Sequence, residues 1–178
     1  MIRPEFKKVL LDQRGAAIIL WSVFTISIPI YLVIARKLLA NFNVGANRNI
    51  AEPARIIFWL LTLIDLGYYA YWRQRNLAPA AIARDARKTK LFRALEEFQG
   101  GMEEQAAYSV ATYVTRKVVI FAIIEAIAVY GFVLAFLGRF VNDQYLLSLL
   151  SLILLVLEFP SASAVESLVQ ESERTATG

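Results

Sequence analysis

The run VVIFAIIEAIAVYGFVLAFLG, residues 118–138, is 21 residues long and carries a single charge, Glu125. A bilayer's hydrocarbon core is about 30 Å thick, so a helix rising 1.5 Å per residue needs about 20 apolar residues to cross it. This run meets that length. It also lacks the continuous polar stripe that a helix on the surface of a soluble core would show. Lys117 precedes it and Arg139 follows it, so charge returns at both edges.

Working outward, the same pattern recurs. Residues 15–35 contain no charge and lie between Arg14 and the pair Arg36-Lys37. Pro29 interrupts their hydrogen bonding, and the apolar run is too long for the core of a cleaved leader, so it reads as an anchor. Residues 56–72 form a shorter span, interrupted by Asp65 and closed by Tyr68, Tyr69, Tyr71 and Trp72, residues that favour the headgroup level. The apolar stretch from Tyr145 to Leu157 is too short to cross alone. A fourth span is therefore expected to continue through Glu158, Phe159 and Pro160 to Ala164, giving residues 145–164. The fold class is all-α: one membrane domain over residues 1–178, built as a four-helix bundle with a cytoplasmic helical extension over 73–117. Within that extension the sequence predicts a helix from Pro79 to about Gln99, broken by Gly100-Gly101. The tail from Val165 to Gly178 is polar.

Composition agrees, with 58% hydrophobic residues and a mean hydropathy of +0.51. Fourteen of the nineteen Lys and Arg fall in the N-terminal arm, residues 73–117 and the tail, and five fall in the two remaining connections. The bias of basic residues toward the cytoplasm then places both termini inside, in a multi-pass protein of the plasma (inner) membrane. The net charge of +4 is explained by that bias and does not call for a nucleic-acid partner.

The chain has no Cys and no His. Disulfides, thiolate zinc sites, cysteine nucleophiles and histidine-ligated metals are excluded. No Walker loop, dinucleotide-binding glycine turn or Gly-x-Ser-x-Gly elbow is present, so the sequence gives no reason to expect an enzyme. What remains is acidic. Asp65, Glu125 and Glu158 lie inside the spans, where an ionisable group is costly and points to function. Counted from the inferred cytoplasmic ends of their helices, all three fall about 9 to 11 Å deep. Ser22 falls in the same layer of span one, with Thr25 a turn deeper. Carboxylates gathered there must share protons, bind a cation or meet a base. The candidate ligand is a proton, sodium or a divalent cation, with no identifiable organic cofactor.

The local pattern around Glu125 is more specific. Glu125-Ala126, then Tyr130-Gly131, then Ala135 in an apolar run resembles the carboxylate-bearing outer helix of the rotor-ring proteolipid, subunit c of rotary ATPases. The resemblance covers residues 118–138 and implies that Glu125 carries a proton or sodium ion; Tyr130 joins the candidate set through the same match. The long segment 73–117 and the single glycine of span two depart from that family, so the resemblance bears on the chemistry of the helix and not on a ring of tightly packed hairpins. On the same helix Ala128, Gly131, Ala135 and Gly138 share one narrow face suited to close packing in lipid.

Two functions fit. The bundle binds or translocates a proton or cation through Asp65, Glu125 and Glu158, as a homo-oligomer or a subunit of a membrane complex. Alternatively the spans anchor residues 73–117 for a partner protein. The orientation is open to test: a cysteine at position 89 (Thr89→Cys) is expected to be labelled only from the cytoplasm, and Asn142→Cys only from outside. External labelling at 89 would overturn the assignment.

Overall fold

In the computed structural model, residues 4–41, 48–85 and 101–177 are described, with side chains at 14–41, 50–82 and 106–171. Every described element is an α-helix. They are α1 (Pro4–Asn41), α2 (Arg48–Asn76), α3 (Pro79–Asp85), α4 (Gly101–Gly138), α5 (Val141–Leu157) and α6 (Ala162–Thr177). Two stretches are long and apolar enough to cross a membrane: Arg14–Asn41 in α1 and Ala106–Gly138 in α4. Val141–Leu157 together with Ala162–Glu171 makes a third only if one span bridges the break between α5 and α6. α2, which holds the expected second span, is 29 residues long but is not among them. Arg55, Asp65 and five aromatic hydroxyl or indole groups dilute its apolar character.

Two differences from the sequence expectations have clear physical causes. The fourth span does not run unbroken to Ala164. α5 ends at Leu157, and Glu158 donates its N–H to Leu154 and Leu155 while Phe159 donates to Val156, a tightened last turn. Pro160 has no N–H and disfavours helical geometry in the residue before it, which favours a stop here, although Pro29 in α1 and Pro53 in α2 are each carried within a continuous helix. The chain restarts as α6, whose Ala164 N–H reaches the Ser161 hydroxyl at 3.4 Å in N-cap fashion, so the polar tail is itself helical. The helix expected from Pro79 to Gln99 begins at Pro79 as placed, with α3 described to Asp85. Its continuation, with Leu91, Leu95 and Phe98, lies outside the described residues. Ile82, within α3, is fully buried in protein.

The chain divides into two compact units. The first comprises residues 1–20, 72–119 and 160–178. There α3 packs on α6, and Ala17, Ile82, Tyr113, Val114 and Leu168 form a core with Leu77 and Ala164 against it. Arg116 donates to the Asn76 carbonyl at 2.7 Å, closing the C-terminal end of α2, where a cation suits the helix dipole. Arg14 donates to the Pro160 carbonyl at 2.7 Å.

The second unit comprises residues 21–71 and 120–159 and contains the candidate site. Its apolar core gathers Ile127, Leu134 and Leu147, with Phe58, Trp59, Leu66 and Tyr130 packed around them. α4 and α5 are joined by two residues, Arg139 and Phe140. Arg139 takes φ 57°, the left-handed conformation that stops a helix and lets the chain turn back at once. α5 then lies close against α4. A Cβ on Gly131 would meet the Gln144 Cα at 3.0 Å and the Leu147 Cβ at 3.1 Å. Ala128 and Ala135, on the same face, are fully buried. The small-residue face thus packs inside the unit.

Gly131→Ala should therefore destabilise the protein by about 1–3 kcal/mol, because helix backbone stands where the methyl must go. Gly67→Ala, where a Cβ meets nothing within 4 Å, should instead be neutral or stabilise by up to about 1 kcal/mol, the helix-propensity gain. Thermal unfolding of the two variants checks the contrast, and equal shifts would refute it.

Candidate functional site

α5 has its polarity inverted. Asp143, Gln144, Ser148, Ser151 and Glu158 at its C-terminal boundary are all buried. Leu146, Leu149, Ile153 and Val156 on the opposite side are exposed, between 50% and 63%. The spacing 144, 148, 151 is helical, so these polar groups form one inward stripe. In water such an arrangement would discard burial of the aliphatic groups and desolvate the polar ones. In lipid it is the favourable arrangement, since polar groups find partners inside the protein.

The partners are specific. Ser151 donates to the Ile124 carbonyl on α4 at 2.9 Å, and Gln144 donates to the Tyr31 carbonyl on α1 at 3.3 Å. Trp21 of α1 donates its indole N–H to the Leu155 carbonyl at 2.7 Å, near the end of α5, where that carbonyl also accepts the Glu158 N–H at 3.2 Å. The Ser148 hydroxyl, buried between these contacts along α5, has no hydrogen-bond partner among the described residues.

Each intramembrane carboxyl predicted from sequence is held by one tyrosine on another helix. Tyr31 of α1 donates to Glu125 of α4 at 2.7 Å. Tyr130 of α4 donates to Asp65 of α2 at 2.9 Å, and its ring lies 5.5 Å from that of Phe58. Tyr69 of α2 donates to Glu158 at 2.7 Å, with both residues buried. Glu125 and Tyr130 are five positions apart on one helix, which turns them about 140° from each other at 100° per residue. Glu125 faces α1 and Tyr130 faces α2, so their pairs stand on different sides of α4. Among the described residues no group of three or more acidic side chains is placed to hold a metal ion. The carboxyls are thus divided among three tyrosines and not gathered into one cluster. Of the two hydroxyls expected in their layer, Thr25 bonds back to the Trp21 carbonyl at 2.8 Å, within its own helix, and Ser22 is half-buried and joins none of the pairs.

A fourth acidic group was not anticipated. Asp143, at the first turn of α5, is buried and takes a two-pronged contact from Arg55 of α2: Nε to Oδ2 at 2.5 Å and Nη2 to Oδ1 at 3.1 Å. The Arg55 guanidinium also lies 4.9 Å over the Phe140 ring. The hydrogen bond to Asp143, then that carboxylate's charge, push the Arg55 pKa above its ordinary value. A raised basic pKa means a stabilising contribution fully present below the unfolded-state value and lost only as pH rises through the folded one. From the arginine side, the tie between α2 and α5 therefore holds throughout the neutral range.

Tyr31 and Tyr69 were also missed by the sequence reading, although a signal existed: both are tyrosines inside or at the edge of apolar runs, where a hydroxyl needs a partner. No protein-family model matches the chain, and neither a curated protein nor a solved structure matches it.

Because the pairs are separate, their energies should separate too. Tyr31→Phe and Tyr130→Phe are each expected to cost about 0.6–2 kcal/mol, the range for one hydrogen bond inside a membrane protein or a buried core. In double-mutant cycles Tyr31→Phe should couple with Glu125→Gln, and Tyr130→Phe with Asp65→Asn. Asp65→Asn and Glu125→Gln should add within about 0.5 kcal/mol. Strong coupling between those two carboxyls would restore a single shared site.

Proposed function

We propose that this chain is a multi-span membrane protein, with four helices forming a bundle and both termini cytoplasmic, that binds and passes protons at its tyrosine-held carboxyls. The observation that carries the reading is the state of Asp65 and Glu125. Each accepts one tyrosine hydroxyl, and neither has a cationic partner among the described residues. A carboxylate without a counter-charge is costly in hydrocarbon, and taking up a proton removes that cost. A proton needs one carboxyl, whereas a metal ion needs several ligands at once, which the division among three tyrosines does not offer. The resemblance of residues 118–138 to the proteolipid helix supports the same chemistry at Glu125. The inverted polarity of α5 and the exposed aliphatic faces of α1 and α2 support a lipid surround on the plasma membrane. An oligomer or a larger membrane complex would supply the path that one small bundle does not enclose.

A second reading rests on a different aspect of the same contacts. The three tyrosine pairs link α1 to α4, α4 to α2, and α2 to the end of α5, so they also serve as staples. In that case the bundle is an anchor, and residues 73–117 meet a partner protein.

Reconstitution in vesicles loaded with a pH-sensitive dye separates the two. Under an imposed potassium diffusion potential, proton-driven dye response is expected for the wild type. It should fall at least tenfold in Glu125→Gln, an amide that keeps the hydrogen bond but holds no exchangeable acid, and a hydrophobic carbodiimide should block it. A wild type no leakier than empty vesicles would discard proton passage and leave the anchor.

A further inference from the structure

Arg55 stands where two concavities of the second unit meet. The first, of about 310 Å³, is lined by Arg55, Arg139, Phe140, Val141, Asn142 and Asp143. The second, of about 390 Å³, is lined by Glu52, Arg55, Ile56, Trp59, Leu60 and Leu63. The two differ in chemistry. The first carries two guanidiniums, a carboxamide and the start of α5, where Phe140 supplies no side-chain cap and the Val141 N–H is taken by the Arg139 carbonyl at 2.8 Å. The second follows successive turns of one face of α2, and its aliphatic members are exposed: Ile56 63%, Leu60 55%, Leu63 61%.

Charge decides what suits the polar pocket. Asp143 is buried with both oxygens engaged by Arg55. Arg139 is exposed, and its guanidinium has no hydrogen bond or ion pair among the described residues. Arg55 is matched by Asp143 and has Glu52 on its groove side, so the positive charge left to a ligand is that of Arg139, which one phosphate diester would neutralise. Arginine favours phosphate oxygens because its planar donors match them in pairs. The apolar groove begins at the same arginine, so a ligand that fills both must join a phosphate directly to a hydrocarbon chain.

We infer that these adjoining concavities bind an anionic glycerophospholipid. Arg139 and the outer donors of Arg55 hold its phosphate, and one acyl chain lies along Ile56, Trp59, Leu60 and Leu63. The inference rests on the chain being embedded in a bilayer, but not on proton passage. Glu52, which lines the groove near Arg55, disfavours a second negative charge on that side, so the site fits a lipid of one net negative charge, such as phosphatidylglycerol.

Trp59 reports occupancy. In a Trp21→Phe/Trp72→Phe background it is the sole indole, and lipids brominated on their chains quench it on contact. Brominated phosphatidylglycerol, diluted into phosphatidylcholine vesicles, should quench more than brominated phosphatidylcholine at equal fraction. Arg139→Gln should reduce that preference about fivefold, the usual loss for one basic residue at an anionic lipid surface, and Arg139→Lys should retain most of it. If the single-tryptophan background fails to fold, thermal unfolding of the wild type and Arg139→Gln in detergent, with each lipid added, reads the same difference. Equal quenching by the two lipids, or a preference unchanged in Arg139→Gln, overturns the site. Stronger quenching by brominated phosphatidylethanolamine overturns its anionic character. Stabilisation by inorganic phosphate alone, equal to that by phosphatidylglycerol, assigns the pocket to a free anion and overturns the lipid. No quenching by any lipid removes the membrane setting itself, whereas failed proton flux leaves this test untouched.

Discussion

The constraint on which the second unit depends is that a polar side chain surrounded by hydrocarbon must find its partner inside the protein. The four helices meet that demand mainly by tyrosine. Its ring contributes apolar contact, and its hydroxyl reaches a carboxyl on a neighbouring helix. The consequence is that helix packing and carboxyl placement are one problem: moving Glu125 away from Tyr31, or Asp65 away from Tyr130, would separate the helices that carry them. The two-pronged ion pair of Arg55 with Asp143 sits where α5 begins, and there the guanidinium remains 42% exposed and able to meet water or headgroups.

α5 shows how far this logic can go. Its outward face is nearly all Leu, Ile and Val, and its inward face carries amide, hydroxyl and carboxyl groups. That inversion tolerates a close backbone approach, because Gly131 presents no side chain to Gln144 and Leu147. Close approach in turn brings the Ser151 hydroxyl to a backbone carbonyl of α4. The unpartnered Ser148 hydroxyl is the one point on this stripe where the demand is unmet among the described residues, and a buried polar atom in that state is a natural seat for a water molecule.

Much of the helical framework was legible in the sequence because it follows from local quantities. The apolar lengths of 15–35, without a charge, and of 118–138, with Glu125 alone, fix two long apolar helices, and Gly131's small-residue face points to tight packing. Length alone carries the fourth segment to Ala164, whereas α5 ends at Leu157 ahead of Pro160; a proline's missing N–H does not by itself mark a stop, since Pro29 and Pro53 lie within continuous helices. The acidic residues were correctly singled out as unusual, but depth along a helix says nothing about direction around it. Glu125 and Asp65 share a layer by counting and still turn to different helices. Asp143 escaped notice since it sits in a polar connection, where an acid is ordinary until its burial and its arginine are known.

The break after Leu157 sets a length. α5 has 17 residues, about 26 Å of helix at 1.5 Å each, against a hydrocarbon thickness of about 30 Å. A helix shorter than its bilayer cannot tilt to fit; the lipid around it must thin instead, at a fraction of a kcal/mol per Å of mismatch. The segment around Glu158 would then lie close to the water interface in a thin membrane and be drawn into hydrocarbon in a thick one. Were α5 to cross a bilayer by itself, acyl-chain length would set how wet the Tyr69–Glu158 pair is.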